Sequence, residues 1–394
     1  MDPYDLGPEG LGDLLVDEPG YRTAQVQAWL TRGVDDPREM TDLPANLRER
    51  LLEAFSPLPE LVRHSTADGG LTHKILLRHG DRVGSEVESV LMIYPAGEER
   101  AHARATVCIS TQAGCAMACP FCATGQAGFR GQLSFGETIR QVTIMQRLLA
   151  SGLPGVPPIP GAPDRVTNVV FMGMGEPLAN LDVTVSAVRW LAGQAGWASG
   201  FDLSARSITV STVGLVPGIR RLSELGLPIT LAVSLHAPND ALRDDLVPVN
   251  RQFPIAELLA ACRDYRDITG RRLTFEYILI AGINDASEHA RELALRVRPL
   301  DAHVNLIPMN PTPAVPWDAP PVAQQRAFAR ILERAGVPAT IRANRGGDID
   351  AACGQLYADY AVRSGRMLPA AADVWQRWDL APPPVVAGPG QGTA

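Results

Sequence analysis

GCAMACPFC, residues 114–122, sets three cysteines at spacings of four and three directly after a β-branched run, ATVCIS (105–110). One loop can wrap Cys115, Cys119 and Cys122 round a single inorganic centre, and thiolates suit zinc or iron–sulfur. A structural zinc would want a fourth ligand, for which Cys108, His102 and His303 are the candidates. A 4Fe-4S cube held by three cysteines instead keeps one iron open to a small molecule. The spacing alone leaves both readings open.

That run is the first of six, followed by VTNVVFM (166–172), RSITVST (206–212), ITLAVSLH (229–236), RLTFEYILI (272–280) and HVNLIPM (303–309). Each precedes a loop and a helix-length stretch, which is the βα repeat of a parallel sheet or barrel. Ser134 and Glu137 stand in capping-box spacing ahead of Ile139, Val142 and Leu149, marking one of the helices. SGLPGVPPIPGAPD (151–164) is too rich in Pro and Gly for helix and reads as a surface loop. Upstream, Val26, Trp29 and Leu30 share one helical face, and Leu47, Leu51 and Phe55 another after Pro44. The resulting division is a helical domain over 1–60, ending in the turn-like SPLPE, and a β-rich linker over 61–100. A core barrel over 101–367 and a disordered Pro- and Gly-rich tail over 368–394 complete it.

The chain has 394 residues, 46% of them hydrophobic, enough to bury a sizeable core. Six cysteines, three of them packed into one loop, do not make a secreted disulfide framework. The expected compartment is a reducing cytoplasm. The start, MDPYDLGPEGLGDLLVDEP, is acidic and lacks a basic segment or a long apolar run, so neither a signal peptide nor a membrane span is predicted. A net charge of −7 excludes a protein that grips nucleic acid over its whole surface. An RNA would have to be held by local patches, for which Arg48, Arg50, Arg271, Arg272, Arg342 and Arg345 are candidates.

Polar motifs recur at the C-terminal ends of the predicted strands, the face on which βα barrels build active sites. GMGEP (173–177) carries Gly175 and Glu176; Ser211 and Thr212 end the third run; Ser234, Leu235 and His236 end the fourth; Asn310 follows the sixth. Taken singly, each is as well explained as a loop residue capping the next helix.

With CxxxCxxC followed by ATG, and with GMGEP, STVG (211–214), SLHAPND (234–240), LIPMNP (306–311) and RGGDIDAACGQL (345–356), the chain resembles the RlmN-type radical S-adenosylmethionine (SAM) adenine methyltransferases from about Tyr21 to Arg366. The resemblance implies an α/β fold, a partial (β/α)6 barrel whose helical N-terminal domain binds RNA. It implies one [4Fe-4S] cluster on Cys115, Cys119 and Cys122, and SAM held by Gly175, Glu176, Ser211, Ser234, Leu235, His236 and Asn310. The RNAs it implies are 23S rRNA, at an adenosine of the peptidyl-transferase region, and tRNA, at the adenosine beside the anticodon. The loop GFRGQLS after the cluster and the length of the 151–164 loop depart from the family pattern.

Carbon 2 of adenine and the methyl of SAM are both electrophilic, so ordinary polar transfer fails. The family's route uses two SAM molecules. One methylates Cys353; the other is cleaved to a 5′-deoxyadenosyl radical that takes hydrogen from that methyl group. The thiomethylene radical adds to the ring, and Cys108 then attacks Cys353 to form a transient disulfide and free the base. Glu88 matches the proton acceptor, though strand alternation puts Glu86 on the same face and does not choose between them. An external electron donor and a disulfide reductant are implied as partners, with no membrane, for a chain acting as a monomer. The alternatives are a Cfr-type carbon-8 methyltransferase and a non-catalytic iron–sulfur protein that binds RNA or relays electrons. Cys262, among helical apolar neighbours, reads as core.

Overall fold

The structure is a computed structural model that describes residues 1–80, 85–97, 101–153, 155–197, 200–342 and 345–356. The expected disordered tail lies outside them. In chain order the helices are α1 (Gly7–Leu14), α2 (Tyr21–Thr31), α3 (Ala45–Ala54), α4 (Ala123–Ala127), α5 (Phe135–Ser151), α6 (Leu181–Leu191), α7 (Val216–Ser223), α8 (Asp240–Leu246), α9 (Ile255–Thr269), α10 (Ser287–Val297) and α11 (Val322–Arg334). The strands are β1 (Glu60–Ala67), β2 (Thr72–Arg78), β3 (Glu86–Tyr94), β4 (Arg104–Cys108), β5 (Gln112–Gly114), β6 (Phe129–Gln132), β7 (Asn168–Phe171), β8 (Ile208–Thr212), β9 (Thr230–Ser234), β10 (Thr274–Leu279), β11 (His303–Pro308) and β12 (Ala339–Ile341). All six expected runs are strands: β4, β7, β8, β9, β10 and β11. Among the described residues no helix is long and apolar enough to cross a membrane.

The chain packs as two compact units. The first comprises Met1–Thr111, Gln132–Gly173 and Asn180–Ile208. Here β1 to β4 form an antiparallel meander, and β7 runs parallel to β4. The capping box forms as expected: Glu137 N–H donates to Ser134 Oγ at 3.2 Å, and Ser134 N–H to Glu137 Oε2 at 2.9 Å. Gln141 pins α5 to the sheet, accepting from Ser89 Oγ at 2.6 Å and from Ser110 N–H at 2.8 Å. Two elements have no periodic signal of their own. β1 forms from ELVRHSTA, a half-exposed edge strand with no apolar alternation, at the start of the span read as β-rich linker. Helix α1 lies within the span read as helical domain, ahead of the periodic stretch that begins at Tyr21.

The second unit comprises Gln112–Gly131, Met174–Ala179 and the chain from Thr209 onward. Its strands β8 to β12 are all parallel, and the row Ser234, Glu276, Asn305, Thr340 runs across four of them in register. Alternation then sorts the two faces. Val210, Leu231, Val233, Phe275, Tyr277, Val304 and Leu306 are fully buried. On this side the Tyr277 ring packs on Phe328 of α11 at 5.3 Å. The other face carries Ser211, Ser234, Glu276 and Asn305, so it is polar and suited to a polar ligand. Strand β12 is short and half-exposed, and the sequence pattern gave no sign of it.

Candidate active site

The cysteine loop joins β5 to α4. Gly114 adopts a left-handed backbone (φ 75°), and a Cβ there would run into the Gly128 carbonyl, so the strand and the loop's return can close only on glycine. Cys115 N–H donates to Gly128 O, and Cys122 N–H to Cys119 O, each at 3.1 Å. Cys119 and Phe121 sink into an apolar cluster with Leu246, Val247, Ile278, Met309 and Trp317. Burial pushes the Cys115 thiol up to about 12 and Cys119 well above its ordinary value; Cys122 adds to the rise at both, and Cys115 to that at Cys119. Cys119 is buried and Cys115 and Cys122 are half-buried on one short loop; the raised thiols of Cys115 and Cys119 give up their protons to a strongly charged metal centre, so the donor set fits an iron–sulfur cluster. Among the described residues no three Cys, His, Asp or Glu side chains gather closely enough to hold a single metal ion.

The polar motifs stand where the sequence put them, at the C-terminal strand ends. Gly175 (φ 99°) is glycine by necessity, because a Cβ would lie 2.6 Å from Gln112 Cβ. Glu176 is buried, with Oε1 accepting from Leu178 N–H at 3.0 Å and Oε2 from Val213 N–H at 2.8 Å. Its own N–H donates to Gln112 Oε1 at 2.9 Å. Burial raises this carboxyl to about 7 against those hydrogen bonds. The Glu176 side chain therefore ties the loop after β8 to the GMGEP loop.

Ser234 ends β9. Leu235 N–H continues the ladder to Glu276 O at 3.0 Å, after which His236 turns the chain through a left-handed conformation (φ 60°). His236 Nδ1 accepts from Ile278 N–H at 3.1 Å, which puts the proton of the neutral ring on Nε2. Burial, with Arg243 nearby, lowers this imidazole to about 3. Asn284 donates to His236 O at 2.9 Å, and the ring of Phe121 meets the imidazole edge-on at 4.7 Å.

Three residues that sequence reasoning missed hold this site. Arg243, fully buried on α8, donates to Leu235 O (3.0 Å), Asn250 Oδ1 (2.8 Å), Val213 O (2.5 Å) and Ser234 O (3.1 Å). Glu276 on β10 accepts from Asn305 Nδ2 at 2.9 Å and lies 3.7 Å from Arg342 Nη1. Gln112 supports Glu176. A lone acid inside the apolar run TFEYILI was the one available signal, for Glu276.

Cys353 is exposed, and its segment is clamped to the cysteine loop. Asn310 Nδ2 donates to Cys353 O at 3.0 Å, Ala123 N–H to Gly354 O at 2.7 Å and Thr124 Oγ1 to Leu356 O at 3.0 Å. Surrounding protein raises the thiol and Arg342 opposes it.

The first unit holds the other two residues. Cys108 ends β4 and pairs with Val90 and Val170. Glu88 forms a buried ion pair with Lys74 at 2.9 Å, whereas Glu86 pairs with Arg78 at 3.2 Å. Among the arginine candidates, Arg50 is paired with Asp17 and Glu18, and Arg272 donates to Asp301 O. Cys262 is fully buried on α9, as expected.

No family model matches the chain. It is 49% identical over 373 residues to the probable dual-specificity RNA methyltransferase RlmN of Parafrankia sp. (strain EAN1pec), covering 91% of this chain and 94% of that protein. It is 47% identical to the protein of the same name in Nocardioides sp., covering 90% and 94%. Among solved structures it resembles a radical SAM methyltransferase from Sphaerobacter thermophilus, with a TM-score of 0.81, 46% identity, and 91% and 99% of the two chains covered. With the parallel strands and the strand-end motifs in place, these likenesses show that the chain belongs to the RlmN family of radical SAM RNA methyltransferases.

Proposed function

We propose that the chain methylates carbon 2 of an adenine in 23S rRNA and in tRNA, through S-methylation of Cys353. The supporting observation is the clamp on Cys353. Asn310 and the first turn of α4 hold the Cys353 segment by its backbone against the cysteine loop. Cys115, Cys119 and Cys122 would hold the [4Fe-4S] cluster, which when bound supplies an open iron for SAM and the electron that cleaves it. Ser211, Ser234, Leu235, His236 and Asn310 would line the SAM site, with Gly175 and Glu176 contributing backbone, since the Glu176 carboxylate is engaged by the protein's own amides.

Cys353 then carries the one-carbon unit to the ring, Glu88 takes the ring proton, and Cys108 displaces the product by attacking the Cys353 sulfur. The helical N-terminal domain would hold RNA. A cellular electron donor and a thiol reductant would reset the monomeric enzyme in the cytoplasm. Nucleoside analysis of 23S rRNA and tRNA from cells with and without the protein tests the reading. Loss of 2-methyladenosine from both is expected, and loss of 8-methyladenosine instead would overturn it. Alanine at Cys115, Cys119 or Cys122 should abolish iron binding; full iron content in any of the three would remove that ligand assignment.

A further inference from the structure

Strands β2, β3 and β4 put Lys74, Glu88 and Cys108 on one face of the first unit. Lys74 and Cys108 flank Val90 from its two sides, and Glu88 is the next residue of β3 on that face. Lys74 Nζ lies 2.9 Å from Glu88 Oε1, and each side chain is only 4% exposed. Lysine is almost never this buried unless paired. A sheet contact serving stability alone gains nothing from two desolvated charges over two apolar side chains of similar size. Glu86, one step along the same face, has a different setting: its partner Arg78 is partly exposed and also bridges to Glu60 at 2.6 Å. Among the described residues of these strands, the remaining charged or titratable groups on this face are Arg63 of β1, Tyr94 of β3 and Arg104 of β4, the last lying over the Tyr94 ring at 4.2 Å. Strand β7 adds only Asn168 and Val170 to it.

We propose that Lys74 is a positioning residue that keeps Glu88 ionised, so that its carboxylate can take the proton released when a ring carbon exchanges its C–H bond for a C–C bond. The C–H electron pair stays in the ring, the proton passes to a Glu88 oxygen, and the unpaired electron that radical addition leaves on the ring would return to the iron–sulfur cluster, which gives one electron to cleave SAM. The contribution of Lys74 is charge. A carboxylate enclosed without that charge would hold its proton at neutral pH and could not act as a base. The inference rests on Glu88 being the base.

The test is the pH profile of single-turnover RNA methylation by full-length holoenzyme, comparing wild type with Lys74→Met, Lys74→Gln, Lys74→Arg and Glu88→Gln. Circular dichroism and iron content identify the variants that fold. Lys74→Met should lose about a hundredfold in rate near neutral pH, the lower end of a general base's contribution, and regain most of it in alkaline buffer. Methylation of Cys353, read by mass spectrometry, should stay at the wild-type rate. Lys74→Gln keeps an N–H for Glu88 without the charge and should show the same alkaline shift, which preserves the test if the methionine variant does not fold. Lys74→Arg should keep the wild-type profile. A folded neutral variant with an unmoved acid limb, alongside inactive Glu88→Gln, would overturn the role of Lys74 alone. Full activity of Glu88→Gln would remove Glu88 as the base and this inference with it.

Discussion

Replacing Arg243 with methionine tests whether the C-terminal ends of β8 and β9, proposed above to line the SAM site, are held by one buried guanidinium. Its hydrogen bonds reach Val213, Ser234, Leu235 and Asn250 at 2.5 to 3.1 Å. Bonds to a charged donor contribute roughly 1.5 to 3 kcal/mol each, so the gross loss is about 6 to 12 kcal/mol. Against this stands the cost of burying the charge. Burial pulls the guanidinium down to about 10, a penalty of about 3 kcal/mol that methionine relieves. The net expectation is a loss of roughly 3 to 9 kcal/mol, its lower part matching the cost of removing one partner from a buried ion pair. Arg243→Lys offers fewer donors and no planar fork, and should fall between methionine and wild type. Urea unfolding midpoints give the stabilities. Equilibrium binding of SAM to reconstituted protein gives the functional consequence, because two of the four acceptors are Ser234 and Leu235. A methionine variant within about 0.5 kcal/mol of wild type, inside the scatter of ordinary surface substitutions, with unchanged SAM affinity, would sink this account of Arg243.

If Cys108 resolves the link between Cys353 and the base, Cys108→Ala should accumulate a nuclease-sensitive protein–RNA adduct on a denaturing gel, while Cys353→Ala gives neither adduct nor product. Normal multiple turnover by Cys108→Ala would contradict the two-cysteine route. Gly175→Ala must fit a Cβ 2.6 Å from Gln112 Cβ in a backbone that disfavours side chains, and should lower stability by about 1 to 3 kcal/mol, read from its melting temperature. His236 is held at about 3 by burial, while in the unfolded chain it titrates near pH 6.5. As pH falls the unfolded chain takes the proton first, so this residue's contribution is complete above about pH 6.5 and is lost progressively toward pH 3, by up to about 4 kcal/mol. His236→Gln should flatten that part of the stability profile, and an identical slope in both proteins would show that another group sets it.

The local elements and the chemical inventory are legible in the amino-acid sequence alone. Six β-branched runs became strands because their composition and spacing act over a few residues, and the Ser134–Glu137 box closed because its partners are three residues apart. The strand-end positions of GMGEP, Ser211, Ser234, His236 and Asn310 followed from that periodicity. Only the fold shows which of these polar side chains the protein's own groups engage. The Glu176 carboxylate is engaged by the Leu178 and Val213 amides, the latter 37 residues away. Arg243 reaches back 30 residues to Val213. Glu86 and Glu88, equivalent in strand alternation, differ only in the fold, where β2 brings Arg78 to one and Lys74 to the other. The physical reason is common to all three. Hydrogen bonds and ion pairs across long chain separations depend on register and burial, which the whole fold sets and no local pattern encodes.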